Sequence, residues 1–143
     1  MAAQLRVAWQ SDLWRASFDL THIDPEFRAD LGFVLRQDVV RRVYRASWNP
    51  RPGGIPWLRS VNFSANQTTF HDTHGELVTR ESWAGAFLNT EAGDFGGVIG
   101  ASFFERLDLP FQIHPEVTIP PGEYRFRYLY SLFRSFAGRW VSI

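Results

Sequence analysis

The sequence predicts an all-β chain, an antiparallel up-and-down meander of about seven to eight strands, taken as one unit over residues 1–143. Three observations carry that prediction. Apolar and polar residues alternate with period 2 over most of the chain, and the alternation stops at patches rich in Gly, Pro, Asn and Asp. That is the pattern of half-buried strands joined by turns. Aromatic residues make up 16%, with six Trp and thirteen Phe, and these side chains favour pleated strands over helices. No apolar run approaches the roughly 20 residues of a membrane-spanning helix.

The first strand is expected over about 2–10, with Leu5, Val7 and Trp9 opposing Arg6, Ala8 and Gln10. Ser11 and Asp12 turn it. In the second, Trp14, Ala16, Phe18 and Leu20 oppose Arg15, Ser17, Asp19 and Thr21. An irregular stretch over about 23–37 leads to a third strand at 38–48, where Tyr44, Ala46 and Trp48 oppose Val43, Arg45 and Ser47. Pro50, Pro52 and Pro56 cannot donate ladder hydrogen bonds, so 49–56 must be a connection. The fourth strand, about 57–70, sets Val61, Phe63 and Ala65 against Asn62, Ser64 and Asn66. Residues 71–76 read as a loop.

The fifth strand, about 77–90, has no clear facing: Trp83 and Phe87 share one side, Ala84, Ala86 and Leu88 the other. Glu91 to Asp94 is a hairpin turn. The sixth strand runs to about Arg106, with Ile99, Ala101 and Phe103 on one face. A long Pro-containing stretch covers 107–121. In the seventh, Tyr124, Phe126, Tyr128, Tyr130 and Leu132 oppose Arg125, Arg127 and Ser131. A short eighth strand is expected from Arg139 to Ile143.

Alternation alone leaves open where the apolar faces point. A soluble β-sandwich or small barrel turns them inward; a membrane barrel turns them to lipid. Two regularities favour the membrane. Connections are expected to alternate short and long along the chain, as they do between the two ends of an outer-membrane barrel. Trp9, Trp14, Trp48, Trp57 and Trp140 lie within a residue or two of the shorter connections, as an aromatic belt at the membrane interface would; Trp83 is the exception. The expected fold is therefore a partial outer-membrane-type barrel or an open curved sheet, with the lipid bilayer as partner. Its polar face, including Arg15, Arg45, Arg125 and Arg127, is expected to line a wet lumen.

Residues Arg139 to Ile143 are too few to cross a bilayer, which takes roughly nine to eleven residues per strand. The N-terminal sequence also lacks the basic and apolar regions of a signal peptide. The short strand points to a piece of a larger barrel, open at its edges and aggregation-prone when isolated; the missing signal leaves the chain either soluble or a piece of something longer.

Composition excludes several classes. The formal net charge is zero, so no basic field points to nucleic acid. There are no cysteines, which removes disulfides, thiolate zinc sites and a Cys nucleophile. All fifteen cationic side chains are Arg, which codon bias in a GC-rich genome explains more simply than a demand for bidentate anion recognition.

The segments Asp30–Asp38 (DLGFVLRQD) and Phe104–Phe126 (FERLDLPFQIHPEVTIPPGEYRF), supported by Asn49–Gly54 (NPRPGG), carry a family resemblance. They resemble an uncharacterised family of bacterial outer-membrane proteins. In that family an N-terminal carbohydrate-binding module of the family-nine type precedes a large C-terminal β-barrel domain of unknown function. The likeness runs from about Leu13 to Phe136 and implies an internal part of that barrel. It also implies a bacterial outer-membrane location, with the rest of the barrel and the carbohydrate-binding module as partners. The module itself has no counterpart in these residues, so sugar binding is not assigned to them.

No catalytic site is expected. The chain has no Gly-x-Ser-x-Gly motif and no nucleophile placed beside a base. His71 and His74, with Glu76 and Glu81 nearby, are spaced loosely for a metal and read better as a polar loop. His22 and His114 read as isolated loop-end residues. Asp24, Glu26 and Asp30 lack the spacing of a calcium loop. Gly96, Gly97 and Gly100 precede no helix, so they mark a bend or close packing rather than a phosphate cradle. No cofactor or metal is expected. One candidate remains: Glu105, Arg106, Asp108, Glu123 and Arg125 are expected to frame a polar site at the base of the long 107–121 loop, where loops often recognise or constrict. The leading expectation is a non-enzymatic, structural or transport-related barrel segment; the alternative is a soluble β-module binding carbohydrate or another small ligand.

Overall fold

The computed structural model describes residues 2–24, 38–136 and 138. The chain is all-β and antiparallel, as its alternation requires. Seven strands form one meander: β1 (Ala2–Gln10), β2 (Trp14–Ile23), β3 (Val39–Trp48), β4 (Leu58–Asp72), β5 (Leu77–Thr90), β6 (Phe95–Leu107) and β9 (Gly122–Arg134). They pair in the order β1-β2-β3-β4-β5-β6-β9, so β1 and β9 are edges and the sheet is not closed. A separate two-stranded hairpin, β7 (Phe111–His114) and β8 (Val117–Ile119), rises from the 107–121 connection. The sequence treated that connection as an irregular loop. Of the irregular segment expected over about 23–37, Ile23 ends β2 and residues 25–37 lie outside the described residues, as does the expected strand from Arg139, with Trp140.

Two of the turns share one construction at opposite ends of the sheet. At Asp72–Glu76 the strands close through Asp72 N to Glu76 O at 3.0 Å and Gly75 N to Asp72 O at 3.0 Å. The backbone N–H of Glu76 also donates to Asp72 Oδ1 at 2.8 Å. At Thr90–Asp94 the matching bonds are Thr90 N to Asp94 O at 2.9 Å and Gly93 N to Thr90 O at 3.1 Å. There Asp94 N–H donates to Thr90 Oγ1 at 3.0 Å. Both turns need a glycine at positive φ, Gly75 at 88° and Gly93 at 85°, where a Cβ would be strained.

This corrects the expected short–long alternation. The β4–β5 turn sits at the end that also carries the long β2–β3 and β6–β9 connections, yet it is tight. The Pro-Gly connection between β3 and β4 is longer than that turn, and it is pinned back onto the sheet. Asn49 N–H donates to Leu13 O at 2.7 Å, Val61 N–H donates to Pro50 O at 3.1 Å, and Arg51 grips Asp12 with bonds of 3.2 and 3.0 Å.

Among the described residues no second layer covers the sheet, whose strands are joined by ladders and cross-strand side-chain pairs. Only Val39, Val43, Ala101 and Phe104 are buried apolar residues among those described. Glycines make room where rings lie flat. A Cβ on Gly97 would come within 2.5 Å of the Phe87 ring, and one on Gly85 within 2.9 Å. Phe87 stacks in turn on Phe95 at 6.0 Å. Gly97 thus marks close packing, one of the two roles expected of these glycines; a Cβ on Gly96 would make only ordinary contact at 3.8 Å, and one on Gly100 meets nothing within 4 Å.

Candidate functional site

Residues facing each other across an antiparallel pair share a face, so the register sorts every strand residue onto one of two faces. One is named here for Trp48, the other for Asp19. On the Trp48 face, Trp14 pairs with Trp48 and Trp48 with Phe63, and the rings stack at 5.4 Å in both steps. Trp9 lies on the same face, one row further from the turns, opposite Ala16. Trp9, Trp14 and Trp48 therefore share one face at one end of the sheet. Trp57 lies in the β3–β4 connection at that end and is 59% exposed. Trp83 projects from the Asp19 face.

Apolar residues form an oblique band on the Trp48 face. It covers Leu5–Trp9 on β1, Trp14–Leu20 on β2 and Tyr44–Trp48 on β3, counting alternate residues. It continues as Val61–Ala65 on β4, Ala84–Leu88 on β5 and Gly96–Gly100 on β6. By the pairing registers, both borders step two rows toward the Trp14 end between β1 and β4, and stay there through β9. Within this band a row of small residues crosses five strands: Ala16, Ala46, Ala65, Ala84 and Gly100. It floors a groove of about 910 Å³ walled by Phe18 and Tyr44 and reaching Arg127.

The Asp19 face divides in two. On β1 to β4 it is polar. Asp19 is buried at 6% exposure and is held by Arg6 at 3.4 Å and by Arg45, as a buried carboxylate must be. On β6 and β9 the same face is aromatic: Phe103 stacks on Phe126 at 5.6 Å and on Tyr128 at 5.7 Å. The polar set expected to share one face is therefore split. Arg15 and Arg45 lie on the Asp19 face, whereas Arg125 and Arg127, opposite Phe104 and Ser102, lie on the Trp48 face. Each strand's alternation was read correctly, but the register of β6 and β9 turns their apolar sides the other way.

The loop-base residues do not form one site. Arg106, with 20% of its side chain exposed, gathers Asp108 at 3.0 Å, Glu76 at 2.6 Å and Asp72 at 3.2 Å. Arg125 pairs separately with Glu123 at 2.8 Å and stands 5.3 Å over the Phe104 ring. Glu105, next to Arg106 on the strand, projects to the opposite face. Asp72 and Glu76 were not among the expected residues; they come from the tight β4–β5 turn, and nothing in their spacing points to Arg106. The node lies beyond the charge-free part of the strands. Asp72 is held below the usual carboxylate range, first by the Glu76 backbone N–H and then by Arg106. Burial alone would lower the Arg106 pKa, but Asp72, Asp108 and Glu76 outweigh it and raise it. Its Nη1 and Nη2 are committed to Glu76 and Asp72, whereas Nε, though 3.0 Å from Asp108 Oδ1, makes no hydrogen bond.

The histidines are dispersed. His71 Nδ1 lies 2.8 Å from Arg42 Nη1, and among the described residues no three His, Asp or Glu side chains converge as a metal site. Comparison with family models, with curated proteins and with solved structures found no match.

Proposed function

We propose that this sheet is wall from a non-enzymatic outer-membrane β-barrel, structural or transport-related, with the Trp48 face toward lipid and the Asp19 face toward the lumen. The observation that carries the reading is the oblique course of the band over β1 to β4. Strands in a barrel tilt by roughly 35–45° to the membrane normal, so a level hydrocarbon layer must cross successive strands at shifted registers. A sandwich core has no such requirement. The aromatic belt at one end of the band is the second support. The seven sheet strands are 9 to 15 residues long, enough to cross.

The width is less uniform. Charge-free stretches on the Trp48 face run from about 13 Å on β3 and β9 to about 33 Å on β4, at roughly 3.3 Å per residue. The apolar band of such barrels is about 25 Å tall. The narrow strands are bounded by Arg42 and Arg127, whose long stems lie along apolar surface while the guanidinium reaches the headgroups. The open edges at β1 and β9 would be paired by further strands, since unpaired backbone in hydrocarbon costs several kcal/mol per group.

The reading is tested on single-tryptophan variants of the chain folded with lipid. Brominated acyl chains should quench Trp48 and spare Trp83. A chain that folds and stays monodisperse in plain buffer, with Trp48 open to iodide, refutes it. One observation favours a second reading, a soluble module that binds carbohydrate: the stacked Phe103, Phe126 and Tyr128 lie beside the polar half of the same face. Glycan binding in plain buffer that is lost in Tyr128→Ala would select it.

A further inference from the structure

Apart from Glu123, opposite Arg106, the charged strand residues that register places on the Trp48 face are arginines. Asp19, Glu81 and Glu105 all fall on the Asp19 face by register. Arg42, Arg80 and Arg125 fall in one row of the Trp48 face, linked through Thr69 and Phe104. Arg127 stands one row nearer the groove, opposite Ser102. Two of these already have neighbours, Arg42 at His71 and Arg125 at Glu123. Arg80 and Arg127 have no hydrogen-bond or ion-pair partner among the described residues, and both are exposed. In a chain of zero net charge, this cationic row borders the apolar groove of about 910 Å³ that Arg127 helps to line.

We infer that this border is a site for a lipid whose phosphate headgroup carries net negative charge. Its headgroup is held by Arg80 and Arg127, with Arg125 alongside, and an acyl chain lies across the small-residue floor. The inference rests on the proposed orientation of the Trp48 face. Charge complementarity selects the occupant. Arginine binds phosphate oxygens through two parallel N–H donors, and nothing acidic on the strands competes except Glu123. A zwitterionic lipid offers a phosphate whose charge is cancelled by its own cationic group, and a lipid without phosphate offers the guanidiniums no anion. Inorganic phosphate would leave the groove empty. Strands in a sheet lie about 4.8 Å apart and rise about 3.4 Å per residue, so Arg80 and Arg127, two strands and one row apart, stand roughly 12 Å from each other at the backbone, a span that two long side chains close on one headgroup.

The test is a titration of the folded chain, in detergent or in buffer, with sub-micellar short-chain phosphatidic acid, short-chain phosphatidylcholine and inorganic phosphate. Phosphatidic acid should bind at least about tenfold more tightly than either control. The double variant Arg80→Gln/Arg127→Gln should lose about tenfold, the size expected for removing charge-assisted hydrogen bonds, with its β-sheet circular dichroism intact. Arg6→Gln, on the other face, should bind as the parent does. Equal binding of phosphatidylcholine, equal binding of phosphate alone, or an unchanged double variant overturns the site. Each of those results leaves the barrel reading standing, because that reading is decided by the quenching of Trp48 against Trp83.

Discussion

The half of the sheet from β1 to β4 and the half from β5 to β9 use the same ladder but distribute polarity differently. In the first, apolar side chains crowd the Trp48 face, and ions such as Arg6, Asp19 and Arg45 keep to the other. In the second, the stacked Phe103, Phe126 and Tyr128 occupy the Asp19 face, while the Trp48 face carries small residues and then Arg125 and Arg127. A sheet with one dry face and one wet face needs no such inversion. A barrel wall accommodates it: lipid demands a continuous charge-free band on the outside, whereas the inside tolerates both ions and aromatic rings. On the proposed orientation, the first half is specified by its outward surface. The second is specified more by its inward one.

The sharpest way to break this comparison is to place one charge on each face of the same strand. Ala65→Arg should destabilise the lipid-folded chain by about 2–4 kcal/mol, the cost of arginine near the bilayer midplane, while its neighbour Asn66→Arg should cost well under 1 kcal/mol. Urea titration in lipid measures both, and equal costs would end the assignment of faces. The same pair of substitutions at Leu129 and Tyr128 extends the test to the second half.

Next in size is Gly97→Ala. Its new Cβ meets the Phe87 ring at 2.5 Å, and overpacking of this kind costs about 1–3 kcal/mol. Phe87→Leu in the same chain should restore most of the loss. If Phe87→Leu gives no rescue, the glycine serves something other than ring packing. In the first half, Asp19→Ala removes the buried partner of Arg6 and Arg45. Both arginines are substantially exposed, so the loss should be modest, about 1–2 kcal/mol, read from the same urea titration.

The smallest effect concerns the Arg106 node. Asp72 has a depressed folded-state pKa, so its contribution is complete above the usual carboxylate range. It fades as pH falls through the depressed value. Stability measured from pH 5 down to pH 3 should therefore drop more steeply in the parent than in Asp72→Asn. Parallel curves would remove Asp72 from the acid response.

Much of this molecule was legible in its alternation. The limits of β1 and β5 match the sequence reading to the residue, and close packing was one of the two roles expected of Gly97. The β7–β8 hairpin was missed because its apolar residues, Phe111, Ile113 and Val117, are exposed at 54%, 60% and 49%; the pattern of such a short, unburied pair is lost among the prolines. The loop-base site failed for a different reason. Arg106 takes two of its carboxylates, Asp72 and Glu76, from a turn about thirty residues away, and no local spacing encodes that approach.

The sequence by itself determined which residues of each strand travel together, because consecutive side chains of a strand must point to opposite sides. Only the tertiary structure decided which strands turn their apolar sets to the same side. That depends on the register passed through each turn, and a shift of one residue there exchanges the two faces of every strand beyond it.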